Sequence, residues 1–133
     1  MSNNEINQVS QATGQQNYEM HTVQNIITVS ISNSKILTDD IISQIYAKIL
    51  SVVEETKGVN LIVNFSQVNY LSSSVLSKLI SIHKKVKAQD GTMCLCNINP
   101  VILKIFELTR LDTYLNIFPD EEKACAFIEK YGS

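Results

Sequence analysis

The residues with the clearest chemical potential are three consecutive serines, Ser72, Ser73 and Ser74, at the start of a predicted helix. A serine becomes a nucleophile only when a base lies within about 3 Å to accept its proton. His83 follows Ser73 by ten positions on the same predicted helix, which separates them by about 15 Å along the axis. His21 lies in the first strand region, where a partly exposed strand residue is the simpler interpretation. No G-x-S-x-G sequence is present, so the serines do not indicate a hydrolase.

The other reactive side chains also lack the spacing that catalysis or metal binding requires. Cys94 and Cys96 alternate along a predicted strand and point to one face, and together with Cys125 they form no zinc-binding pattern. Small buried hydrophobic residues are the favoured interpretation, with a redox role as the alternative. The four glycines form no phosphate-binding loop, and the acidic residues in "TDD" and "DEE" fit helix N-termini. The sequence therefore predicts a protein without enzymatic activity, cofactor or metal ion.

Two interpretations of the serine run remain open. In the first, Ser72 caps the helix, and Ser73 and Ser74 occupy its first turn facing solvent. In the second, one serine accepts a phosphate, whose charge the helix N-terminus accommodates without unfolding the domain. A partner covering that surface would then meet about 1.5 to 2 units of new negative charge.

The first half of the chain shows alternating strand and helix patterns. "YEMHTVQ" and "IITVSIS" predict a hairpin or two adjoining strands. A helix follows, with Thr38 or Asp39 as N-cap and with Lys57 and Gly58 closing it. Its predicted inward face comprises Ile41, Ile45, Ile49 and Val52. Residues 59–65 are apolar on both faces and predict a central buried strand.

The second half continues the alternation. The serines begin a helix over about 73–88 with Val75, Leu79, Ile82 and Val86 facing inward, and a buried strand follows at 92–98. These elements form a β-α-β unit whose crossover makes the two strands parallel. A short helix from Asn99 and Pro100, a brief strand near "YLNIF" and a last helix from Asp120 through Ile128 complete an α/β order of β-β-α-β-α-β-α-β-α.

Composition and charge limit the classes of partner. With 133 residues and 44% hydrophobic content, the chain is expected to form a single domain over 18–133, preceded by a polar, disordered tail over 1–17. A net charge of −2 provides no basic footprint for nucleic acid or an anionic membrane. No apolar stretch approaches the roughly 20 residues that span a bilayer. A cytoplasmic location, with no nucleic-acid or membrane partner, is expected.

Residues 59–111 resemble the STAS domain of bacterial anti-sigma factor antagonists. The similar features are a buried strand ending in Asn64-Phe65, the serine turn, a helix ending before Gly91, the "MCLCNINP" strand and the "IFELTRL" segment. A looser similarity extends from about Tyr18 to Ile128. The resemblance implies the STAS fold, a mixed β-sheet of four to five strands packed with four to five α-helices.

The resemblance also implies a function. Such antagonists bind an anti-sigma factor that is a serine kinase and thereby release a sigma factor. Phosphorylation of one serine ends that complex, and a phosphatase restores it. The family's serine falls on Ser73, with Ser72 and Ser74 as alternatives, and the protein is expected to be a monomer or weak dimer.

The predicted partner-binding surface joins the serine turn to its neighbours and comprises Asn69, Tyr70, Ser72, Ser73, Ser74, Ser77, Lys78 and Ser81. For Lys78, a solvated helix face is an equally good interpretation. Where the family often has Asp before the serine and Gly two positions after it, this sequence has Ser72 and Val75. The alternative function is a phosphorylation-independent STAS scaffold or sensor that binds a protein or a small ligand.

Overall fold

The structure is a computed structural model that describes residues 17–32 and 36–132. The predicted N-terminal tail lies outside these residues, apart from Asn17. The described strands are β1 (Tyr18–Val23), β2 (Ile26–Ile31), β3 (Ile36–Leu37), β4 (Asn60–Asn64), β5 (Tyr70–Leu71), β6 (Thr92–Cys96) and β7 (Asn116–Phe118). The described helices are α1 (Asp39–Glu55), α2 (Ser73–Ala88), α3 (Pro100–Leu108), α4 (Leu111–Tyr114) and α5 (Glu121–Tyr131).

The main sheet has five strands in the order β1-β2-β4-β6-β7. Strand β1 pairs with β2 in antiparallel fashion, and the remaining neighbours are parallel. The predicted hairpin is therefore confirmed, as is the parallel β4-α2-β6 unit. The predicted α/β fold with a mixed sheet is confirmed. Helical crossovers return β4, β6 and β7 in the direction of β2, whereas the hairpin makes β1 antiparallel to β2.

Alternate residues of the central strands face two different helical layers. Leu61 and Val63 pack in the core formed with α1, α2 and α3, whereas Ile62 packs against α5. Cys94 and Cys96 both lie on the α5 side, as the alternation predicts. Burial raises the pKa of both thiols to about 12, so they stay protonated at neutral pH and pack as small apolar side chains.

The buried face of α1 differs from the predicted one. Ile45 and Ile49 are buried as expected, but Ile42 and Val53 are the other buried positions, while Ile41 and Val52 are only partly buried at its flanks. The apolar stripe of α1 is wide enough that its centre is fixed only by packing on the sheet. The helix ends at Glu55, and Gly58, with φ 74°, lies in the following turn.

Three short features were absent from the predicted order. The strands β3 and β5 form a separate two-stranded parallel sheet, and α4 is a single helical turn. Each is too short to produce a periodic pattern in the sequence. The small β3-β5 sheet leads directly into the serine run.

Candidate functional site

The serine turn is attached to the core from both sides. The carbonyl of Phe65, a fully buried residue directly after β4, accepts a hydrogen bond from the Val68 amide at 2.9 Å. Strand β5 then pairs with β3, and the Ser72 amide donates to the Leu37 carbonyl at 3.1 Å. Immediately after the serines, Val75 is fully buried. The serine turn is therefore tied to the core by hydrogen bonds before it and by the buried Val75 after it, although Ser73 is exposed.

The three serine side chains have different environments. Ser72 occupies the N-cap position of α2, but its side chain makes no capping hydrogen bond. Its Oγ instead lies 3.0 Å from Ser74 Oγ, and both side chains are half-buried. Ser73, the first residue of the helix, is exposed. Ser73 is therefore accessible to solvent, whereas the hydroxyl groups of Ser72 and Ser74 contact each other.

The N-terminus of α2 differs in its capping from those of the other described helices of at least nine residues. Thr38, Asn99 and Asp120 each accept a hydrogen bond from a backbone amide of the helix that follows. The α2 N-terminus lacks such a side-chain acceptor and has no acidic residue in its first turn. The first turn of α2 thus supplies no negative charge to compensate the helix dipole.

Asn99 connects the serine segment to α3. Its Nδ2 donates to the carbonyl oxygens of Val68 and Asn69, each at 3.2 Å, while its Oδ1 caps α3 by accepting from the Ile102 amide at 2.8 Å. The sequence predicted only the capping role. The Asn-Pro pair signals a helix start, but the two carbonyl groups lie about 30 positions away along the chain.

We expect Asn99→Ala to reduce the free energy of unfolding by about 2 to 3 kcal/mol, because a cap and two further hydrogen bonds are lost. Asn99→Ser is the matched control, since serine retains a capping oxygen but cannot supply the amide donors. In urea denaturation, the free energy of unfolding of Asn99→Ser should lie between those of the wild type and Asn99→Ala. Hydrogen exchange should accelerate around Asn69 in both variants, and wild-type exchange there would contradict a restraining role for the amide.

The predicted partner-binding residues lie in the segment directly before α2 and along α2 itself. Tyr70 is 62% exposed beside the serine turn, and Asn69 is also exposed. Ser73, Ser77 and Ser81 are spaced by four residues along α2 and therefore share one side of the helix. Lys78 is half-buried, with its Nζ 4.8 Å from the centroid of the Tyr46 ring on α1. The structure thus gives Lys78 a packing role between two helices in addition to its charge.

The histidines lie away from Ser73. His83 is 5% exposed, with its ring 4.9 Å from that of Tyr114, and burial together with the charge of Lys87 lowers its pKa. His21 is exposed on β1, with its Nε2 3.5 Å from Glu19 Oε1. Within residues 17–32 and 36–132, no group of three or more His, Cys, Asp or Glu side chains is arranged to hold a metal ion. In the same residues, no helix combines the length and apolar character needed to cross a membrane.

Comparisons with known proteins give the family. The family model of the STAS domain matches residues 17–124. An anti-sigma factor antagonist (STAS) domain protein from Planctomyces limnophilus is similar in structure, with a TM-score of 0.73, 18% identity, and coverage of 82% of this chain and 96% of that one. An anti-sigma factor antagonist from Mycobacterium paratuberculosis gives a TM-score of 0.73 at 20% identity, covering 84% and 92% of the two chains.

A third similar structure is that of the Bacillus cell fate determinant SpoIIAA in its phosphorylated form. Its TM-score is 0.63 at 21% identity, and the match covers 80% of this chain and 95% of that one. These similarities confirm the fold that the sequence resemblance implied. The chain belongs to the STAS domain family.

Proposed function

We propose that this protein is an anti-sigma factor antagonist, a non-enzymatic cytoplasmic protein that binds an anti-sigma factor with serine kinase activity and so releases a sigma factor. The serine turn, the Asn69-Tyr70 segment and the outer face of α2 form the binding surface. Phosphorylation of Ser73 ends the complex, and a phosphatase restores the binding form. The observation that carries this proposal is the exposed hydroxyl of Ser73 at an uncapped helix N-terminus.

The electrostatics of α2 favour a negative charge at this place. The first turn of α1 contains Asp39 and Asp40, and that of α5 contains Glu121 and Glu122, whereas α2 has no acid there. A phosphate on Ser73 would interact favourably with the positive end of the helix dipole and with the first amide groups. The domain would therefore stay folded when phosphorylated, and the phosphate would weaken binding of the partner.

Exposure favours Ser73 over its neighbours as the phosphate acceptor. Ser72 and Ser74 are half-buried, and their hydroxyl groups lie within hydrogen-bonding distance of each other. A kinase would have to break that contact to modify either one. Ser73 requires no such rearrangement.

The similar structures support this proposal in two ways. Those from Planctomyces limnophilus and Mycobacterium paratuberculosis are described as anti-sigma factor antagonists. SpoIIAA is described in a phosphorylated form, so a protein of this fold carries the modification.

A phosphorylation-independent scaffold or sensor is the second candidate function. It is favoured by Ser72 and Val75, which stand where the family often has Asp and Gly. Val75 is fully buried, so this side chain anchors the helix start in the core. Such a module would use the same surface without turnover of phosphate.

Mass spectrometry of the protein isolated from its native cells, in growth and under stress, separates these candidates. Trypsin should release residues 58–78 as one peptide, which contains Ser66, Ser72, Ser73, Ser74 and Ser77, so fragment ions must locate the phosphate. We expect phosphate on Ser73 with an occupancy that changes between the two conditions. If this peptide is fully covered and never phosphorylated, the switch is wrong and the scaffold or sensor function replaces it.

A further inference from the structure

Positive charge is concentrated on α2. The helix carries Lys78, Lys84, Lys85 and Lys87 and no acidic residue between Ser73 and Ala88. The whole chain has 11 basic and 13 acidic residues and a net charge of −2. The charge of α2, the helix that begins at the serine turn, is thus opposite in sign to that of the whole protein.

Two of these lysines line a groove between α1 and α2. The groove has a volume of about 470 Å³ and is lined by Val53, Glu54, Ser81, Lys84, Lys85, Ala88 and Gln89. Ser81 and Ala88 are small, which leaves space between the helices. Val53 lines the groove but is only 2% exposed, so the apolar contact available to a ligand comes from the exposed Ala88, and the lysines supply positive charge beside it.

The lysines of this groove are not neutralised within the described part of the chain. The ion pairs found there join Lys57 to Asp90 and His21 to Glu19, and neither involves Lys84 or Lys85. Lys84 and Lys85 are both exposed. Glu54, on the opposite helix, is the one acid lining the groove. An incoming carboxylate would therefore meet more positive than negative charge.

We propose that this groove binds an acidic segment of the partner protein, with carboxylates beside Lys84 and Lys85 and an apolar side chain against Ala88. The inference deepens the proposed function and rests on it, since Ser81 belongs both to the groove and to the proposed partner surface. Ser73 and Lys84 are separated by about 16 Å along the helix axis, beyond a Debye length of about 8 Å. The serine turn and the groove are accordingly two separate contacts on one helix.

A defined peptide tests the groove without knowledge of the natural partner. The probe is a fluorescein-labelled 16-residue helical peptide with glutamates every four residues and leucines beside them, and its matched control has glutamine at each glutamate. We expect the acidic peptide to bind the full-length protein and to shift the NMR amide signals of Ser81, Lys85 and Ala88. Its affinity should fall as salt rises, because the contact is charged and partly exposed.

Three variants make the test specific. The double variant Lys84→Gln, Lys85→Gln should weaken peptide binding about tenfold, as expected for two partly exposed charge pairs. Glu54→Gln should tighten binding, since it removes the repulsive carboxylate. The control double variant, Lys104→Gln, Lys123→Gln, removes two exposed lysines outside the groove and should bind as the wild type does.

The proposal is wrong if the glutamine peptide binds equally well, if the control variant weakens binding as much as the groove variant, or if the shifted signals lie elsewhere. Tighter binding of a single-stranded RNA of the same length would also overturn it and assign the groove to nucleic acid. Phosphate on Ser73 without peptide binding would reject the groove and retain the proposed function. Peptide binding at the groove without any phosphate on Ser73 would retain the surface and reject the switch.

Discussion

Replacing Ser73 by aspartate is expected to weaken binding of an anti-sigma factor with serine kinase activity by roughly thirtyfold, whereas Ser73→Ala should bind as tightly as the unmodified protein. Ser73 is exposed at the centre of the proposed surface, so a partner that covers it would bury the new carboxylate without a counter-charge. An unpaired charge in an interface costs about 2 kcal/mol or more, which corresponds to this loss of affinity. Calorimetric titration of each purified variant with the purified kinase from the same organism measures the effect.

The controls separate a local charge effect from damage to the fold. Thr22→Asp adds the same charge at an exposed position of β1, outside both the proposed surface and the groove, and it should leave the affinity unchanged. Ser73→Asp itself should retain or raise the free energy of unfolding, by about 0.5 kcal/mol, because it interacts favourably with the α2 dipole. Equal affinities of the Asp and Ala variants would contradict the switch, and unfolding of Ser73→Asp by circular dichroism would contradict its electrostatic basis.

Phe65→Ala is expected to cause the largest loss of stability, about 3 to 5 kcal/mol. Phe65 is fully buried and follows β4, and its amide donates to the Cys96 carbonyl at 3.0 Å. Removing the ring leaves a cavity between the sheet and the helices at the start of the serine segment. Since natural domains are stable by only about 5 to 15 kcal/mol, the urea midpoint should fall steeply.

Two variants show whether this loss comes from the buried ring. Phe65→Leu keeps most of the apolar volume and should lose only about 1.5 kcal/mol. Tyr70→Ala removes an aromatic ring that is 62% exposed, so its free energy of unfolding should change by less than about 0.5 kcal/mol while its partner binding weakens. A loss below about 1 kcal/mol for Phe65→Ala would show that the surrounding side chains close the cavity.

The sequence determined the elements and most of their faces because local periodicity carries that information. The apolar spacing along α2 correctly placed Val75, Leu79, Ile82 and Val86 in the core. The alternation of Cys94 and Cys96 correctly placed both on one face of β6. Chain order and crossover length were enough to predict parallel pairing of β4 with β6.

For the candidate site, the sequence located the serine run at the first turn of α2, and the residues carried the resemblance to the STAS family. The sequence left open which of the three serine side chains is accessible to a kinase. The structure distinguishes them, since Ser72 and Ser74 face each other and Ser73 faces solvent. Rotamers and backbone angles at a helix end depend on neighbours that no local pattern specifies.

Only the tertiary structure decided which distant segments meet. It paired Ile36 with Tyr70, joined Asn99 to the Val68 and Asn69 carbonyls, and formed the groove between α1 and α2. It also buried Ile42 and Val53 of α1, where the sequence pattern had predicted Ile41 and Val52. These contacts join residues far apart in the chain, and they form because the packed sheet and helices bring the segments together. The sequence pattern thus specified each element, and packing between elements specified the surface that they share.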